Sequence, residues 1–298
     1  MALFNQSRTF VQRMQVGRSI TRTLTTARTW LGQWQEKHVN TQQTNGVRRI
    51  RLNHVKTRNS LSLEMMHAIL QCLTTDSEDL SLRSIVITAE SGTIFSAGHN
   101  LKELISSYGE EHHRAIFDTC GQLMKAISEC PVPVIAAVDG LATAAGCQLV
   151  AACDIVVGTE RSSFSTPGVN FGIFCSTPGI PLIRNVPKKV AAHMLFTGLP
   201  ISAVEAYQAG LVSKIVPIDM LEQEINKITD AINQKSRSVI QLGKQFIKKQ
   251  LEMDIDKAYS LGTEIMVKNL KLKDAQEGIK SFTEKRKPSW NHNYDEVF

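Results

Sequence analysis

Two short apolar runs with the pattern of buried strands are each followed by a turn of small residues, and these turns constrain the fold most. The runs lie at residues 84–88 and 134–138, and their β-branched residues are typical of strands inside a sheet. The turns at residues 95–101 and 142–148 contain glycine and alanine, which allow a ligand to approach the main chain closely. Each turn is predicted to lead from a strand into a helix, and backbone N–H groups at the mouth of a helix suit a developing negative charge on oxygen. The pattern predicts one site that polarises a carbonyl group.

The other apolar patterns alternate between strand and helix before they become mostly helical. Strand patterns lie at residues 47–55, 155–157 and 211–216. Helical patterns, the first with Ser62 as its predicted N-cap, lie at residues 62–73, 111–130, 190–196, 202–208, 221–234, 239–251, 255–268 and 273–284. Residues 162–179 are rich in serine, threonine, proline and glycine without periodicity, which predicts a loop. This order predicts an α/β core followed by a C-terminal helical section.

The net charge of +6 is concentrated in a basic leader. Six basic residues and one acidic residue, Glu36, lie in the first 40 positions, so the leader carries five of the six net positive charges. A leader rich in arginine, serine and threonine, with no acidic residue before position 36, is typical of a mitochondrial transit peptide. We expect residues 1–40 to be such a transit peptide or a disordered leader, and the protein to reside in the mitochondrial matrix. A solvated basic tail is the alternative.

The rest of the chain argues against several classes of protein. Residues 41–298 are nearly neutral, which gives little support to a nucleic-acid partner. No apolar stretch reaches the roughly 18 to 20 residues that cross a bilayer, so no transmembrane segment is expected. The six cysteines lack paired CxxC spacing, which predicts reduced, buried thiols and no metal site.

Five segments resemble motifs of the crotonase family. They are Arg-Asn-Ser-Leu at 58–61, Phe-Ser-Ala-Gly at 95–98, Pro-Val-Ile-Ala-Ala at 133–137, and the runs 201–217 and 277–287. The resemblance covers about residues 47–287, and its motifs are specific in combination. It implies an α/β crotonase-like spiral of ββα units in a domain at 41–298, with the core extending to about residue 200 and a helical trimerisation region at about 201–287. It also implies a homotrimer or hexamer that takes a coenzyme A thioester as ligand or substrate, with no permanently bound cofactor.

The same resemblance implies which residues hold an acyl-CoA. The backbone N–H groups of His99 and Ala145 would form an oxyanion hole for the thioester oxygen, which agrees with the need of an enolate for two fixed donors. The implied coenzyme A contacts are Arg58, Ala97, His99, Asn100, Leu101, Lys102, Phe282 and Lys285. Phe282 and Lys285 would approach the coenzyme of a neighbouring subunit. For Lys102, Phe282 and Lys285, a solvent charge or a packing residue is the simpler alternative.

The chain departs from the family where hydratases carry two catalytic glutamates, because Gln148 and Gly168 stand at those positions. An amide can orient water but cannot exchange its proton near neutral pH, and glycine offers no side chain. Loss of such a group typically lowers the rate by about 10² to 10⁴. The His99 imidazole and the Cys175 thiol are possible substitutes, but a surface or coenzyme-lining imidazole and an inert buried thiol are the simpler interpretations.

These observations leave three functions open. The first is a mitochondrial protein of fatty acid and lipid metabolism that binds acyl-CoA without efficient enoyl-CoA hydratase activity. The second is a non-catalytic acyl-CoA-binding regulator or assembly partner. The third is another thioester-enolate enzyme, such as an isomerase, a decarboxylase or a hydrolase. Whether the protein is an enzyme is therefore left open by the sequence.

Overall fold

A computed structural model describes residues 38–90 and 92–297 of the chain. Residues 1–37 of the expected transit peptide lie outside the described residues. Residues 39 and 40 belong to strand β1 (Val39–Thr44), so the folded domain extends at least two residues before the predicted boundary at residue 41.

Ten strands of the described chain form two sheets. The larger sheet contains, in spatial order, β1, β2 (Val47–Leu52), β3 (Ser84–Ala89), β5 (Val134–Val138), β7 (Ile155–Thr159) and β10 (Lys214–Val216). The smaller sheet contains, in order, β4 (Ile94–Ser96), β6 (Leu141–Thr143), β8 (Ser163–Ser165) and β9 (Ile201–Ser202). From β2 to β10 the larger sheet is parallel, whereas β1 pairs antiparallel with β2 and β9 antiparallel with β8.

The helices connect the two sheets and form the C-terminal part of the described chain. They are α1 (Leu63–Thr74), α2 (Gly109–Glu129), α3 (Ala145–Ala152), α4 (Ser176–Asn185), α5 (Lys188–Thr197), α6 (Ala203–Gln208), α7 (Leu221–Asn233), α8 (Arg237–Gln250), α9 (Ile255–Lys271) and α10 (Lys273–Thr283). Successive units β3-β4-α2, β5-β6-α3 and β7-β8-α4 each place one strand in each sheet before a helix. This repeat confirms the predicted α/β spiral of ββα units.

The first hairpin was only half predicted. The sequence analysis placed a strand at residues 47–55, but β1 precedes it and pairs along its whole length with β2. The two strands are joined by Asn45 and Gly46, which both have positive φ, at 50° and 80°. Asn-Gly favours this tight turn because both residues tolerate the left-handed region. The hairpin places another edge strand beside β2.

Helix α1 begins where the sequence indicates. The Ser62 hydroxyl accepts a hydrogen bond from the Met65 N–H at 3.2 Å, as expected for an N-cap. The apolar side of the helix, including Met66, Ile69 and Leu73, is buried in the main core. The three-to-four-residue spacing of these side chains therefore attaches α1 to the sheet.

The segment at residues 162–179, predicted to be a loop, contains strand β8 and the first turn of α4, so the prediction was wrong at these two places. Pro178 stands in the first turn of α4, where no intrahelical N–H partner is required, and Pro181 lies inside the helix. Two prolines and two small polar residues conceal the helical periodicity. The buried residues Pro178, Gly179 and Leu182 nevertheless hold the helix against the protein.

Lys244 connects the C-terminal helices to the spiral core. Its Nζ donates to the carbonyls of Ile127 and Val132 at 2.9 and 3.1 Å, and to Asp154 Oδ2 at 2.6 Å. The same Asp154 oxygen accepts the Val134 N–H at 2.7 Å. Asp154 is therefore a structural residue. None of the helices in the described part of the chain is long and apolar enough to cross a membrane.

Candidate functional site

The two small-residue turns lie against each other. A Cβ placed on Gly98 would lie 2.8 Å from the Thr143 carbonyl oxygen and 3.0 Å from the Ala145 nitrogen. Gly98 also has a φ of 79°, which favours glycine. Only a residue without a side chain allows this approach, so the main chains of the two turns form one site.

The two turns follow similar strands but lead into different kinds of helix. They directly follow the short strands β4 and β6 of the smaller sheet, rather than the longer apolar strands identified in the sequence. The second turn opens α3 at Ala145, as predicted. The first leads into a 3-10 helix at Leu101–Glu103 instead of an α-helix, so a helix mouth was wrongly expected there.

The first turn is held by the segment that precedes α1. Asn59 Nδ2 donates to the Phe95 carbonyl at 3.1 Å, and the Ser96 hydroxyl donates to the Asn59 carbonyl at 2.8 Å. The Ala97 N–H donates to the Arg58 carbonyl at 3.0 Å. These bonds connect two of the motifs found in the sequence, and they give Arg58 and Asn59 a structural role through their backbones.

Ala144 determines the direction of the second turn. It is a non-glycine residue with φ 50° and ψ −119°, and its N–H donates to the Ser165 carbonyl at 2.9 Å. Such a conformation typically costs about 1–3 kcal/mol. Because ψ of Ala144 rotates the peptide plane that follows, it sets the direction of the Ala145 N–H. The strained backbone of Ala144 therefore controls the orientation of the candidate donor, the Ala145 N–H.

The N–H groups of His99 and Ala145 are available as donors. No acceptor within the described ranges is in hydrogen-bond contact with either. Ala145 is fully buried at the first position of α3, where an N–H has no intrahelical partner and the helix dipole is positive. A buried N–H without a protein acceptor is suited to an oxygen of a ligand or of water.

The His99 side chain is turned toward protein. Its Nδ1 lies 3.4 Å from the Leu61 carbonyl oxygen, and its ring packs edge-on against Phe117 with centroids 5.3 Å apart. Nε2 is buried and without a partner among the described residues. Burial lowers the pKa of His99 below its ordinary value, against smaller raising effects of the Leu61 carbonyl and Glu103. The imidazole is therefore neutral at pH 7.

Gln148 occupies the first vacated glutamate position as a buried amide. It is 3% exposed, and the Cys120 thiol on α2 donates to its Oε1 at 3.6 Å. Burial raises the pKa of Cys120 to about 12, so the thiol remains protonated. Sequence reasoning missed Cys120, because its only local signal is a place on the apolar side of an amphipathic helix. Both groups at this position are uncharged.

Gly168 occupies the second vacated position in a closed loop. A Cβ on Gly168 would lie 2.2 Å from the Ile173 carbonyl oxygen and 2.7 Å from Cys175 Sγ. The Gly168 N–H donates to Cys175 Sγ at 3.3 Å. Burial raises the pKa of Cys175, and this hydrogen bond opposes the rise only in part. The space where a side chain would begin is filled by a carbonyl and a neutral thiol.

Glu103 is the carboxylate whose charge acts on His99, but its oxygens have structural partners. Oε2 accepts the Leu63 N–H at the start of α1, at 3.0 Å. Oε1 accepts from Asn100 Nδ2, also at 3.0 Å. The carboxylate therefore caps a helix and holds the first turn rather than standing free as a proton acceptor.

Most residues expected to contact coenzyme A lie at or beside the first turn. Ala97, His99 and Asn100 belong to it, and the exposed Leu101 and Lys102 follow in the 3-10 helix. Arg58, also exposed, is joined to the turn through its carbonyl.

The two remaining candidates lie elsewhere in the chain. Phe282 is 83% exposed on α10, and Lys285 follows that helix with a φ of 53°. Helix α10 packs on α8 and α9. The structure therefore does not place Phe282 and Lys285 in the group formed by the first turn.

Comparison with known proteins identifies similar sequences and folds. Residues 42–293 match the family described as Enoyl-CoA hydratase/isomerase. The chain is 54% identical over 252 residues to "Enoyl-CoA hydratase domain-containing protein 3, mitochondrial" of Xenopus laevis, with 85% of each chain covered. It is 52% identical over 250 residues to the protein of that name from Homo sapiens, covering 84% of this chain and 82% of the relative. The crystal structure of human enoyl-CoA hydratase domain-containing protein 3 matches with a TM-score of 0.83 and 51% identity, covering 85% of this chain and 99% of that chain.

Proposed function

Since the chain belongs to the enoyl-CoA hydratase/isomerase family, the crotonases, we propose that it binds fatty acyl-CoA thioesters in mitochondria without hydrating enoyl thioesters efficiently. Its role would lie in fatty acid and lipid metabolism. The observation that carries the binding part is the approach of Gly98 to the main chain of Thr143 and Ala145, which supports a shared site for the backbone donors of His99 and Ala145.

The thioester carbonyl oxygen would accept hydrogen bonds from the N–H groups of His99 and Ala145. Negative charge that develops on this oxygen is stabilised most by donors that are already fixed, because they need no reorganisation. Ala145 adds the positive end of α3. Coenzyme A would extend along the first turn, beside Arg58, Ala97 and residues 100–102.

The groups at positions 148 and 168 support the proposal that hydration is impaired. Hydration needs one group that activates water and one that delivers a proton to carbon 2. The Gln148 amide and the Cys120 thiol are neutral, and the loop around Gly168 presents a neutral thiol. Neutral groups at both positions favour a protein that binds acyl-CoA. Any turnover would then be limited to reactions that the oxyanion donors promote without an acidic or basic side chain.

The exposed apolar side chains support assembly into a homotrimer or hexamer. Two groups stand out, one on α8, α9 and α10 and one around α4 and α5. The first includes Ile247, Leu251, Ile255, Tyr259 and Phe282, and the second includes Phe171, Phe174, Ile180, Ile183 and Phe196. Large apolar side chains left exposed on neighbouring elements are typical of an interface between proteins. In such an assembly Phe282 and Lys285 could serve the site of a neighbouring subunit, as the family resemblance implies.

The mitochondrial location rests on the leader and on the relatives. The leader has the composition of a transit peptide, and the relatives from frog and human are named mitochondrial. Because β1 begins at Val39, we expect cleavage to occur before this residue and leave the hairpin intact.

A pair of ligands that differ by one oxygen tests the binding part. Calorimetric titration of the purified protein should give at least about tenfold tighter binding of butyryl-CoA than of S-butyl-CoA, the thioether that lacks the carbonyl oxygen. Titration with free coenzyme A measures how much of the affinity comes from the coenzyme without an acyl group. Equal affinity for butyryl-CoA and S-butyl-CoA would show that the two N–H groups do not bind the oxygen.

Two further measurements separate binding from turnover. Crotonyl-CoA should be hydrated at least about 10²-fold more slowly than by a hydratase with both glutamates. Exchange of the proton on carbon 2 of butyryl-CoA in deuterated water, followed by mass spectrometry, distinguishes an enolate-forming enzyme from a binder. Hydration at ordinary enzyme rates would contradict the proposal.

A further inference from the structure

Gln148 is a buried polar residue whose amide N–H groups have no acceptor in the part of the chain that the structure describes. It is 3% exposed, and no residue within the described ranges accepts a hydrogen bond from its Nε2. The side chain as a whole is buried, but Nε2 is not among the fully enclosed polar atoms that lack a partner in the described chain, so a ligand atom or water can reach it. Such a group indicates a place where a ligand atom or an ordered water completes the hydrogen bonding.

Cys120 fixes the orientation of this amide. Its thiol lies 3.6 Å from Gln148 Oε1, and burial keeps it protonated, so that it supplies the hydrogen and the amide oxygen accepts it. Oε1 is thereby held toward α2. The two N–H bonds of Nε2 are directed away from the thiol.

Helix α3 places the amide beside the oxyanion donors. Gln148 follows Ala145 by three residues, and side chains three residues apart share one face of a helix with Cβ atoms about 5–6 Å apart. A helical side chain also leans toward the N-terminus of its helix, here toward Ala145. A Gln148 amide on this face that leans toward Ala145 is placed to reach a substituent further along an acyl chain whose thioester oxygen accepts the Ala145 N–H.

We propose that the Gln148 amide, positioned by the Cys120 thiol, donates a hydrogen bond to an oxygen on carbon 3 of the bound acyl group. The ligand class is then an acyl-CoA with an acceptor oxygen at that carbon, either a 3-keto group or the carboxylate of a malonyl group. An ionised carboxylate at position 148 would repel the same oxygen, since it can only accept. This inference rests on the proposed function, because the thioester oxygen must lie at His99 and Ala145. Gln148 determines specificity, and Cys120 is a positioning residue.

Three ligands test this specificity in the unmodified protein. Calorimetric titration should give about tenfold tighter binding of acetoacetyl-CoA or malonyl-CoA than of butyryl-CoA, which lacks an oxygen at carbon 3. If acetoacetyl-CoA binds more tightly than malonyl-CoA, the preferred acceptor is a keto group; if malonyl-CoA binds more tightly, it is a carboxylate. Equal affinity for all three would overturn the inference while leaving the proposed function intact. Failure of all three to bind would overturn both.

Variants of Gln148 and Cys120 test the assigned roles. Gln148→Met, which removes the donors at similar size, should bring the affinity ratio of the preferred ligand to butyryl-CoA close to one while butyryl-CoA binding is retained. Cys120→Ala should lower the ratio about threefold, and Cys120→Ser, which restores a donor, should recover it. Cys130→Ala removes another buried thiol and should leave the ratio unchanged. An unchanged ratio in Gln148→Met, or equal ratios in both Cys120 variants, would overturn the assignment.

Discussion

The two halves of the candidate site differ in what supplies their polar groups. At His99 and Ala145 the donors belong to the main chain, and their direction follows from turn geometry rather than from side-chain identity. At positions 148 and 168, where proton transfer would take place, the ability to donate or accept a proton depends on which side chain is present. The main-chain half can therefore persist while the side-chain half changes. If the proposed function holds, binding of a carbonyl oxygen and transfer of a proton are separable properties of this fold.

Glycine is required in both halves, but for different reasons. Gly98 allows two turns to meet and has a φ of 79°, so its conformation and its surroundings both exclude a side chain. At Gly168 it is the surroundings that exclude one, since the Ile173 carbonyl and the Cys175 thiol fill the space. The loop has thus closed over the place of the missing acid. Restoring that acid would require the loop to move as well.

The largest effect is expected in the main-chain half. Gly98→Ala combines a positive φ with contacts under 3.0 Å to the neighbouring turn, so it should lower the free energy of unfolding by about 4 kcal/mol. It should also abolish acyl-CoA binding. Gly109→Ala is the control without close contacts: with φ 77° and ψ 169° its backbone also favours glycine, but an added Cβ would meet no heavy atom within 4 Å, so a loss of about 1–3 kcal/mol is expected there. Urea unfolding of both variants gives the comparison. Equal losses would show that the two turns are not in contact.

A smaller effect is expected at Gly168. Gly168→Ala should lower the free energy of unfolding by about 2–3 kcal/mol, because its Cβ meets a backbone carbonyl that cannot move independently. Gly121→Ala, on α2 with open space around it, should instead be neutral or stabilising by up to about 1 kcal/mol. Urea unfolding again measures the effect. A Gly168→Ala variant as stable as the wild type would contradict the closed loop and make Gly168→Glu a realistic route to hydration.

Gln148→Glu should have an intermediate effect that depends on pH. A buried carboxyl group has a raised pKa, so the folded state holds its proton while the unfolded state loses it above about pH 4.3. The deficit relative to the wild type should therefore grow from about pH 4.5 to pH 7, reaching about 1–2 kcal/mol. Urea unfolding across this range measures it. Crotonyl-CoA hydration should remain low, because the second acid is still missing; a hydratase-like rate in this single variant would refute the need for two groups.

The smallest effect concerns the His99 imidazole. Burial lowers its pKa in the folded state, so protonation favours unfolding, and stability should fall as the pH drops below the ordinary value of about 6.5. His99→Gln removes this titration while keeping the backbone N–H, so its stability should decline less than that of the wild type between about pH 7.5 and pH 5.5. His193→Gln, at an exposed position, should behave like the wild type. Parallel pH profiles for wild type and His99→Gln would show that the imidazole is not buried in the folded protein.

Local pattern and family motifs predicted most elements of the fold. The strand at 134–138 and the helix that Ser62 caps were predicted because their signals are contained in neighbouring residues. The family comparison confirms the membership that the motifs indicated. Strand β1 was missed because an arginine-rich leader runs directly into it, and α4 was missed because its prolines conceal the periodicity.

The site was predictable only in part. The sequence predicted the main-chain donors at His99 and Ala145, which remain a proposal, and it located Gln148 and Gly168. It could not give the contact of Cys120 with Gln148, which joins residues 28 positions apart. Nor could it give the approach of Ile173 to Gly168, since a loop without periodicity carries no signal for its own path. Partners distant in the chain are fixed by tertiary packing, which a single sequence does not display.

The ammonium group of Lys244 limits how this chain can be divided. It forms hydrogen bonds with Asp154, 90 residues away in the sequence, and with the carbonyl of Ile127, 117 residues away. A fragment that ends before α8 would keep both sheets yet lose the only cation that these three oxygens share among the described residues. Shortened versions made for crystallisation or fusion should therefore be trimmed beyond this helix, at the far carboxyl end.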